Sequence, residues 1–163
     1  MNIDWNVIVT GLIAPLCLFV VNFLLDLKVA PRFVKWFWFV PVRSFMRRKP
    51  YGLSGKWEII WHLSDSESFA QDTDRHSHSI IRQLGDYCYT EFSSKGKTYA
   101  VFGKIQGSHF IGDWYDLNDE NGYFGAFQLQ IIDSNNLSGV WIGHSKYHYQ
   151  VKSGAWVWSK INS

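Results

Sequence analysis

The stretch Leu53-Ser54-Gly55-Lys56-Trp57 begins a pattern that recurs along the chain and decides its fold. A glycine is followed two residues later by a tryptophan four times, at Gly55–Trp57, Gly112–Trp114, Gly139–Trp141 and Gly154–Trp156. Residues two apart lie on the same face of a β-strand. Glycine permits a bend or a close backbone approach in a curved sheet, and the tryptophan then fills its interior. The pattern therefore predicts strands that enter a curved sheet.

Alternating segments separated by turns of Gly, Asn, Asp and Ser extend this pattern over the rest of the chain. Eight antiparallel strands can close into a barrel with space for one small ligand. The sequence therefore predicts a mainly β fold, an eight-stranded up-and-down antiparallel β-barrel at residues 51–163, preceded by a membrane anchor at residues 1–50. The predicted strands are Ser54–Leu63, His76–Leu84, Tyr87–Ser93, Lys97–Gln106, Ser108–Asp116, Tyr123–Asp133, Leu137–His144 and Gly154–Ile161.

Composition and charge narrow the class of protein. Of the 163 residues, 18% are aromatic and only 18% are charged, which excludes a disordered chain and argues against a plain helical bundle. Residues 28–49 carry seven basic side chains and no acid, whereas residues 50–163 carry nine basic and twelve acidic ones. A surface for DNA or RNA on the folded domain is therefore not expected.

The N-terminal part has the pattern of a membrane anchor. Trp5 to Leu25 is a run of 21 residues without a charge, and about 20 such residues cross the hydrocarbon core as a helix. Only Asp4 is charged before the run, and no small-residue cleavage site follows it, so a signal peptide is disfavoured. Because the basic residues all follow the run, the positive-inside rule places the barrel in the cytoplasm.

A second apolar segment, Phe33 to Met46, leaves two readings open. It contains 14 residues, among them Lys35, Pro41 and Arg43, and is short for a membrane crossing. An aromatic interfacial segment with basic side chains on lipid phosphates is the first reading, and a second span is the other. The two cysteines, Cys17 and Cys88, are expected to be free thiols.

Three motifs make the chain similar to known barrels. Leu53-Ser54-Gly55-Lys56-Trp57, the segment Ile111 to Asp116 and the segment Leu137 to Gly143 resemble the repeats of avidin-like and lipocalin-like barrels. In length and order of parts, the chain resembles bacterial membrane effectors of cyclic-oligonucleotide anti-phage systems (CBASS). That resemblance implies a cyclic dinucleotide ligand made by a partner nucleotidyltransferase. It also implies homo-oligomerisation and disruption of the bacterial inner membrane, and it carries over no site residue.

Motifs for catalysis or metal binding do not stand out. The sequence has no phosphate-binding glycine loop, no Gly-x-Ser-x-Gly elbow and no Cys-x-x-Cys pair, so no enzyme activity is expected. Asp113 and Asp116 are three apart and point to opposite faces of a strand, which separates them as an acid/base pair. His76 and His78 share a strand face but lack a recognisable third ligand, so neither a metal nor another cofactor is expected.

The candidate binding site rests on which residues share the tryptophan face. The tryptophans nearest the glycines are expected to seal one end of the barrel, with the further residues around the other mouth. A cyclic dinucleotide needs aromatic rings for its bases and cations for its phosphates. An apolar small molecule or a lipid is the alternative ligand, since interior aromatics suit it without a phosphate partner. The candidate ligand-binding residues are Trp61, Arg82, Tyr89, Asp116, Ser145, Trp158 and Lys160.

Overall fold

The computed structural model describes Leu16 and residues 29–40, 51–62, 75–119, 122–144 and 150–161. Among the described residues, helix α1 spans Val29–Phe37, and eight strands follow it, each within three residues of its predicted bounds. The strands are β1 (Gly55–Trp61), β2 (His76–Leu84), β3 (Tyr87–Ser94), β4 (Lys97–Gln106), β5 (His109–Asp116), β6 (Phe124–Ile131), β7 (Asn136–His144) and β8 (Val151–Lys160).

The eight strands form a closed antiparallel barrel, as the sequence predicts. Each strand pairs with the next one along the chain, and β8 returns to pair with β1. This last seam runs from the pair Trp57 and Lys160 to the pair Trp61 and Trp156. Closure leaves none of these strands with an unpaired edge.

Tight turns set the register of several neighbouring strands. Lys95 and Gly96 join β3 to β4, and both have positive φ, 50° and 72°. Two central residues with positive φ are typical of the type I′ turn, whose twist matches that of the flanking strands. The turn places Ser94 opposite Lys97 and Phe92 opposite Tyr99.

One end of the barrel, the closed end, is where β1 begins and β8 finishes. The chain before β1 covers it, because the Leu53 amide donates to Oε1 of Gln83 at 2.8 Å. Nε1 of Trp57 donates to the Leu53 carbonyl at 2.7 Å, and Nε2 of Gln83 donates to the Tyr51 carbonyl at 2.8 Å. The fully buried side chains at this end are Leu53, Trp57, Ile81, Cys88, Phe110, Leu129, Leu137 and Trp158.

The opposite end, the open end, is where β1 finishes and β8 begins. Its interior side chains include Trp114 and Trp141, which are only partly buried against the core. Polar side chains also reach the interior here, since Ser77, Ser94 and Asp116 are all buried. The two ends therefore differ in exposure and polarity.

The predicted span from Trp5 to Leu25 lies outside the described residues, except for Leu16. In the parts of the chain that the structure describes, no helix has both the length and the apolar character of a membrane span. The second apolar segment is described as far as Val40 and includes the last turns of α1. Its membrane role stays a prediction. Cys17 also lies outside the described residues, and Cys88 is a buried free thiol.

Candidate functional site

Five aromatic rings from five strands form a chain around the open end, and we call them the aromatic rim. The ring of Trp61 lies 5.5 Å from Phe92, and Phe92 lies 5.3 Å from Tyr99. Tyr99 lies 6.0 Å from Trp114, which lies 6.0 Å from Trp141. These centroid distances are those of attractive aromatic pairs. The rim therefore presents a nearly continuous aromatic lining.

Phe127 and Trp156 are the strand partners of Trp141 and Trp61 and are less exposed than the rim, and we call them the floor of the open end. The ring of Trp156 lies 5.6 Å from Phe127 and 5.9 Å from Phe92 of the rim. Both floor residues are buried. Trp156 also lies 5.2 Å from Trp158, so the aromatic packing continues toward the closed end.

Several buried donors have no hydrogen-bond partner among the described residues. They include Nε1 of Trp141, Nε1 of Trp156 and Oγ of Ser79, and deeper in the barrel Nε1 of Trp158. An unpaired buried polar group costs about 1–3 kcal/mol. An indole N–H can only donate, so each of these tryptophans offers a donor to an acceptor atom of water or of a bound molecule.

Glycines make room for the rim tryptophans. A Cβ on Gly143 would lie 2.2 Å from Cζ2 of Trp114, and a Cβ on Gly154 would lie 2.9 Å from Nε1 of Trp141. Each indole therefore lies against bare backbone on a later strand. Trp114 is further held by a 3.2 Å hydrogen bond from its Nε1 to the Ile142 carbonyl. Gly154 of one Gly-x-Trp repeat thus makes room for Trp141 of another, whereas Gly143, which makes room for Trp114, lies outside the four repeats.

A buried carboxylate contributes charge to this end. Asp116 accepts a hydrogen bond from Nζ of Lys97 at 3.0 Å and another from the Asn118 amide at 3.0 Å. Burial alone would raise the pKa of Asp116, but these two hydrogen bonds outweigh it and lower the pKa. The hydrogen bond to Asp116 also raises the pKa of Lys97. Both groups are therefore charged at neutral pH.

Two further side chains can meet a ligand at the open end. Burial, followed by the charge of Asp116, raises the pKa of Tyr99 to about 12, so its hydroxyl stays protonated. Lys152 pairs with Gly143, and it has the strand parity of Gly154 and Trp156 on the interior face of β8. Among the described interior residues, the open end therefore includes the cations Lys97 and Lys152, of which Lys97 is already paired with a carboxylate.

Four of the candidate ligand-binding residues lie inside the barrel, but at two different ends. Trp61 and Asp116 are at the open end, whereas Trp158 and Lys160 are near the closed end. Nζ of Lys160 lies over the ring of Trp57 at 5.6 Å. The expected grouping of all four around one mouth is not found, because β8 runs from the open end toward the closed end. For the same reason, the glycine-linked tryptophans do not all seal one end.

Arg82 and Tyr89 lie on the outer face of the barrel, not at a mouth. They are register partners on β2 and β3, and Tyr89 is buried in a cluster with Val34 and Ala100. Tyr89 donates to Oε1 of Glu91 at 2.6 Å. The remaining candidate, Ser145, lies outside the described residues.

The outer cluster attaches the end of α1 to the barrel wall. Lys35 of the helix donates to Oε1 of Glu91 and lies 5.7 Å from the centre of the Tyr89 ring. Burial alone would raise the pKa of Glu91, but hydrogen bonds from Lys35 and Tyr89 outweigh it and lower the pKa. Burial, and then the bond to Glu91, raises the pKa of Tyr89. Tyr89 therefore packs against the end of α1 on the outside of the barrel, which its position along β3 does not reveal.

Sequence reasoning missed Phe92, Tyr99, Lys97 and Lys152 at the open end. The signal for the first two is the Lys95-Gly96 turn, which joins two strands with a two-residue loop and so sets the pairing of Phe92 with Tyr99. Lys152 was missed because β8 begins at Val151, three residues before the predicted start.

Comparison with solved structures supports the architecture. A protein named EF1p2_mFAP2b, solved bound to DFHBI, superposes with a TM-score of 0.50 at 5% identity, over 67% of this chain and 94% of that one. A redesigned β-barrel, b11L5F_LGL, superposes with a TM-score of 0.50 at 10% identity, over 68% of this chain and 92% of that one. No protein-family model matches the chain, and no curated protein matches its sequence. At these identities the likeness concerns the fold alone.

Proposed function

We propose that the barrel is a binding protein, not an enzyme, and that it takes a small planar molecule into its open end. The observation that carries this proposal is the aromatic rim and floor, in which Nε1 of Trp141 in the rim and Nε1 of Trp156 in the floor are buried with no partner among the described residues. At the closed end, Nε1 of Trp57 donates to the Leu53 carbonyl, whereas Nε1 of Trp158 near that end is also without a partner among the described residues.

The chemistry of the open end favours a heteroaromatic ligand with hydrogen-bond acceptors. Rim rings offer stacking surfaces, and base-on-ring stacking contributes about 1–3 kcal/mol per base. The N–H groups of Trp141 and Trp156 would then donate to ring nitrogens or carbonyl oxygens of the ligand. That EF1p2_mFAP2b was solved with DFHBI shows that one barrel of this fold holds a small molecule, and here it only motivates the test.

Within this class, a cyclic dinucleotide is the specific ligand that we propose to test first. Its two bases suit the aromatic rim, and its two phosphates need cations. Lys152 on the interior face of β8 is one candidate, and Lys97 is another if a phosphate displaces Asp116 from it. The resemblance of the sequence to anti-phage membrane effectors points to the same ligand.

An apolar small molecule or a lipid is the competing ligand. Its support is that the rim and floor are built of aromatic side chains, while the Lys97 charge is already balanced by Asp116. Such a ligand would bury apolar area without a phosphate partner.

Titration of the purified full-length chain separates the two ligand classes. Tryptophan fluorescence would be followed while cyclic dinucleotides, and in parallel fatty acids and apolar dyes, are added. We expect saturable one-site binding of a cyclic dinucleotide. Saturation by apolar ligands only would favour the competing class, and no binding by the folded protein to any of them would contradict the proposed function.

Matched variants locate the site. Trp61→Ala removes an indole from the rim, and Trp36→Ala removes one from an exposed position on α1, where the side chain is 72% exposed. We expect Trp61→Ala to weaken binding at least tenfold and Trp36→Ala to leave it unchanged. Equal effects of the two variants would contradict a site at the open end.

The role as an anti-phage effector in the inner membrane is a further part of this proposal. It rests on the sequence resemblance and on the apolar run from Trp5 to Leu25. We expect the full chain in vesicles of anionic phospholipid to assemble and release an entrapped dye only when the ligand is added. Ligand binding without assembly or leakage would remove the effector role and leave the binding role.

A further inference from the structure

A cluster of metal-ligating side chains lies on the outer face of the barrel, away from the open-end interior. Glu58 on β1 pairs directly with His78 on β2, and His76 is two residues along on the same face. All three have side chains at least partly exposed to solvent. This face has no part in the ligand site proposed for the interior.

The three side chains already converge. Nε2 of His76 lies 2.6 Å from Oε1 of Glu58, and the two imidazole centroids are 5.1 Å apart. One ligand atom from each residue can be chosen so that all lie within 4.8 Å of one another. Tetrahedral zinc with bonds of about 2.0–2.1 Å to nitrogen holds its ligand atoms roughly 3.3 Å apart. Because the three side chains are at least partly exposed, rotation about their χ angles can bring the ligand atoms from within 4.8 Å of one another to the spacing that zinc requires.

We propose that Glu58, His76 and His78 bind a divalent transition-metal ion of the zinc class. Two imidazoles and one carboxylate suit Zn²⁺, Cu²⁺ or Ni²⁺ rather than Ca²⁺ or Mg²⁺, which prefer oxygen ligands. Three protein ligands leave a coordination position open to solvent. The site is therefore an exchangeable surface site that joins β1 to β2.

Sequence spacing alone hides this site. His76-Ser77-His78 supplies two ligands on one strand face, which is not specific. The third ligand, Glu58, is 18 residues away from His76 and becomes adjacent only through the β1–β2 register. The sequence-based expectation of no metal site did not consider Glu58, because only the pairing of β1 with β2 brings it next to the two histidines.

Zinc titration of the full-length chain, with any purification tag removed, tests the site. We expect saturable binding of one Zn²⁺ per chain, and Co²⁺ in its place should give the visible absorption of a low-coordinate site with nitrogen ligands. His76→Ala and His78→Ala should each weaken binding at least tenfold, and Glu58→Gln should weaken it as well, because an amide is a poorer ligand than a carboxylate.

His109→Ala is the matched control, because His109 is a partly exposed strand histidine on β5 and is not in the cluster. It should leave zinc affinity unchanged. The double variant His76→Ala/His78→Ala should keep the circular dichroism spectrum of the parent while losing zinc. Zinc binding equal to that of the parent in this double variant, or no saturable binding by the parent, would overturn the proposal. A negative result leaves the open-end ligand site unaffected, since no residue is shared.

Discussion

The two ends of the barrel are both built of tryptophan and phenylalanine, yet they differ in how their polar groups are paired. At the closed end, Nε1 of Trp57 donates to the Leu53 carbonyl, and Gln83 holds the covering segment with two hydrogen bonds, from the Leu53 amide and to the Tyr51 carbonyl. At the open end, Nε1 of Trp141 and Nε1 of Trp156 are buried without a partner among the described residues. Aromatic content therefore does not separate core from site. The difference lies in the covering segment of the closed end, whose polar groups are paired, because Nε1 of Trp158 near that end is also buried without a partner among the described residues.

Removing a tryptophan from each end should show the largest contrast. Trp57→Ala should lower the free energy of unfolding by about 3–5 kcal/mol, because it leaves a cavity and removes the donor that the Leu53 carbonyl is bonded to. Trp61→Ala should cost about 1–2 kcal/mol, because its space is nearer to solvent. Urea denaturation measures both. Equal losses would mean that the two ends contribute alike to the core.

The glycine seats at the open end allow a second test. Gly143→Ala should destabilise the protein by about 1–3 kcal/mol, because the new methyl group overlaps Trp114. Adding Trp114→Ala to Gly143→Ala should recover part of that loss, and the double-mutant cycle gives the coupling energy. Simple addition of the two single losses would show that the indole does not rest on this glycine.

The open end should also be sensitive to acid. The folded-state pKa of Asp116 is lowered, so its ionised form adds stability above its unfolded pKa of about 3.9, and that stability is lost as the pH falls through the folded pKa. Asp116→Asn should cost about 1 kcal/mol at pH 7, a modest value because the Lys97 side chain is 40% exposed. The difference between parent and variant should shrink toward pH 3, and a constant difference would contradict the ion pair.

Substitution of Lys160 should give the smallest loss of stability, and it tests whether this residue belongs to the closed end or to the ligand site. It lies over the Trp57 ring at the closed end, so Lys160→Met should cost about 0.5–1 kcal/mol of stability through the lost cation–π contact. Ligand affinity at the open end should not change. A tenfold loss of affinity in a folded variant would place Lys160 in the site after all.

The strand count could be predicted from the turns between segments, and the interior parity of β1, β5, β7 and β8 could be predicted because each of these strands carries a Gly-x-Trp pair. That Trp158 and Trp61 lie toward different ends could not be predicted in the same way. β1 and β8 run in opposite directions, so moving forward along β1 leads to the open end and moving forward along β8 leads to the closed end. Tyr89 was ambiguous for a different reason. Both faces of β3 bury aromatic side chains, and the outer one is covered by Val34, which is 55 residues earlier in the chain.

Clusters of side chains from different strands could not be predicted from the sequence either. Glu58 joins His76 and His78 only when the register of β1 against β2 is known, and the connection between these strands carries no tight-turn signal. By contrast, the Lys95-Gly96 turn sets the pairing of Phe92 with Tyr99, so two of the five rim residues follow from local chemistry once that turn type is recognised.

The seam between β1 and β8 has a consequence for the order of folding. Among the described strands, seven seams join neighbours in the chain, and only this one brings together residues as distant as Trp57 and Lys160. Its loop-closure entropy is the largest, so hairpins should form first and the seam last. The amide of Ile161 already bonds the Lys56 carbonyl at 2.9 Å. With residues 1–50 removed, a short linker from Ile161 to Tyr51, with new termini at the Lys95-Gly96 turn, would make a circular permutant that turns the slowest contact into a local hairpin and transfers the closure step to β3 and β4.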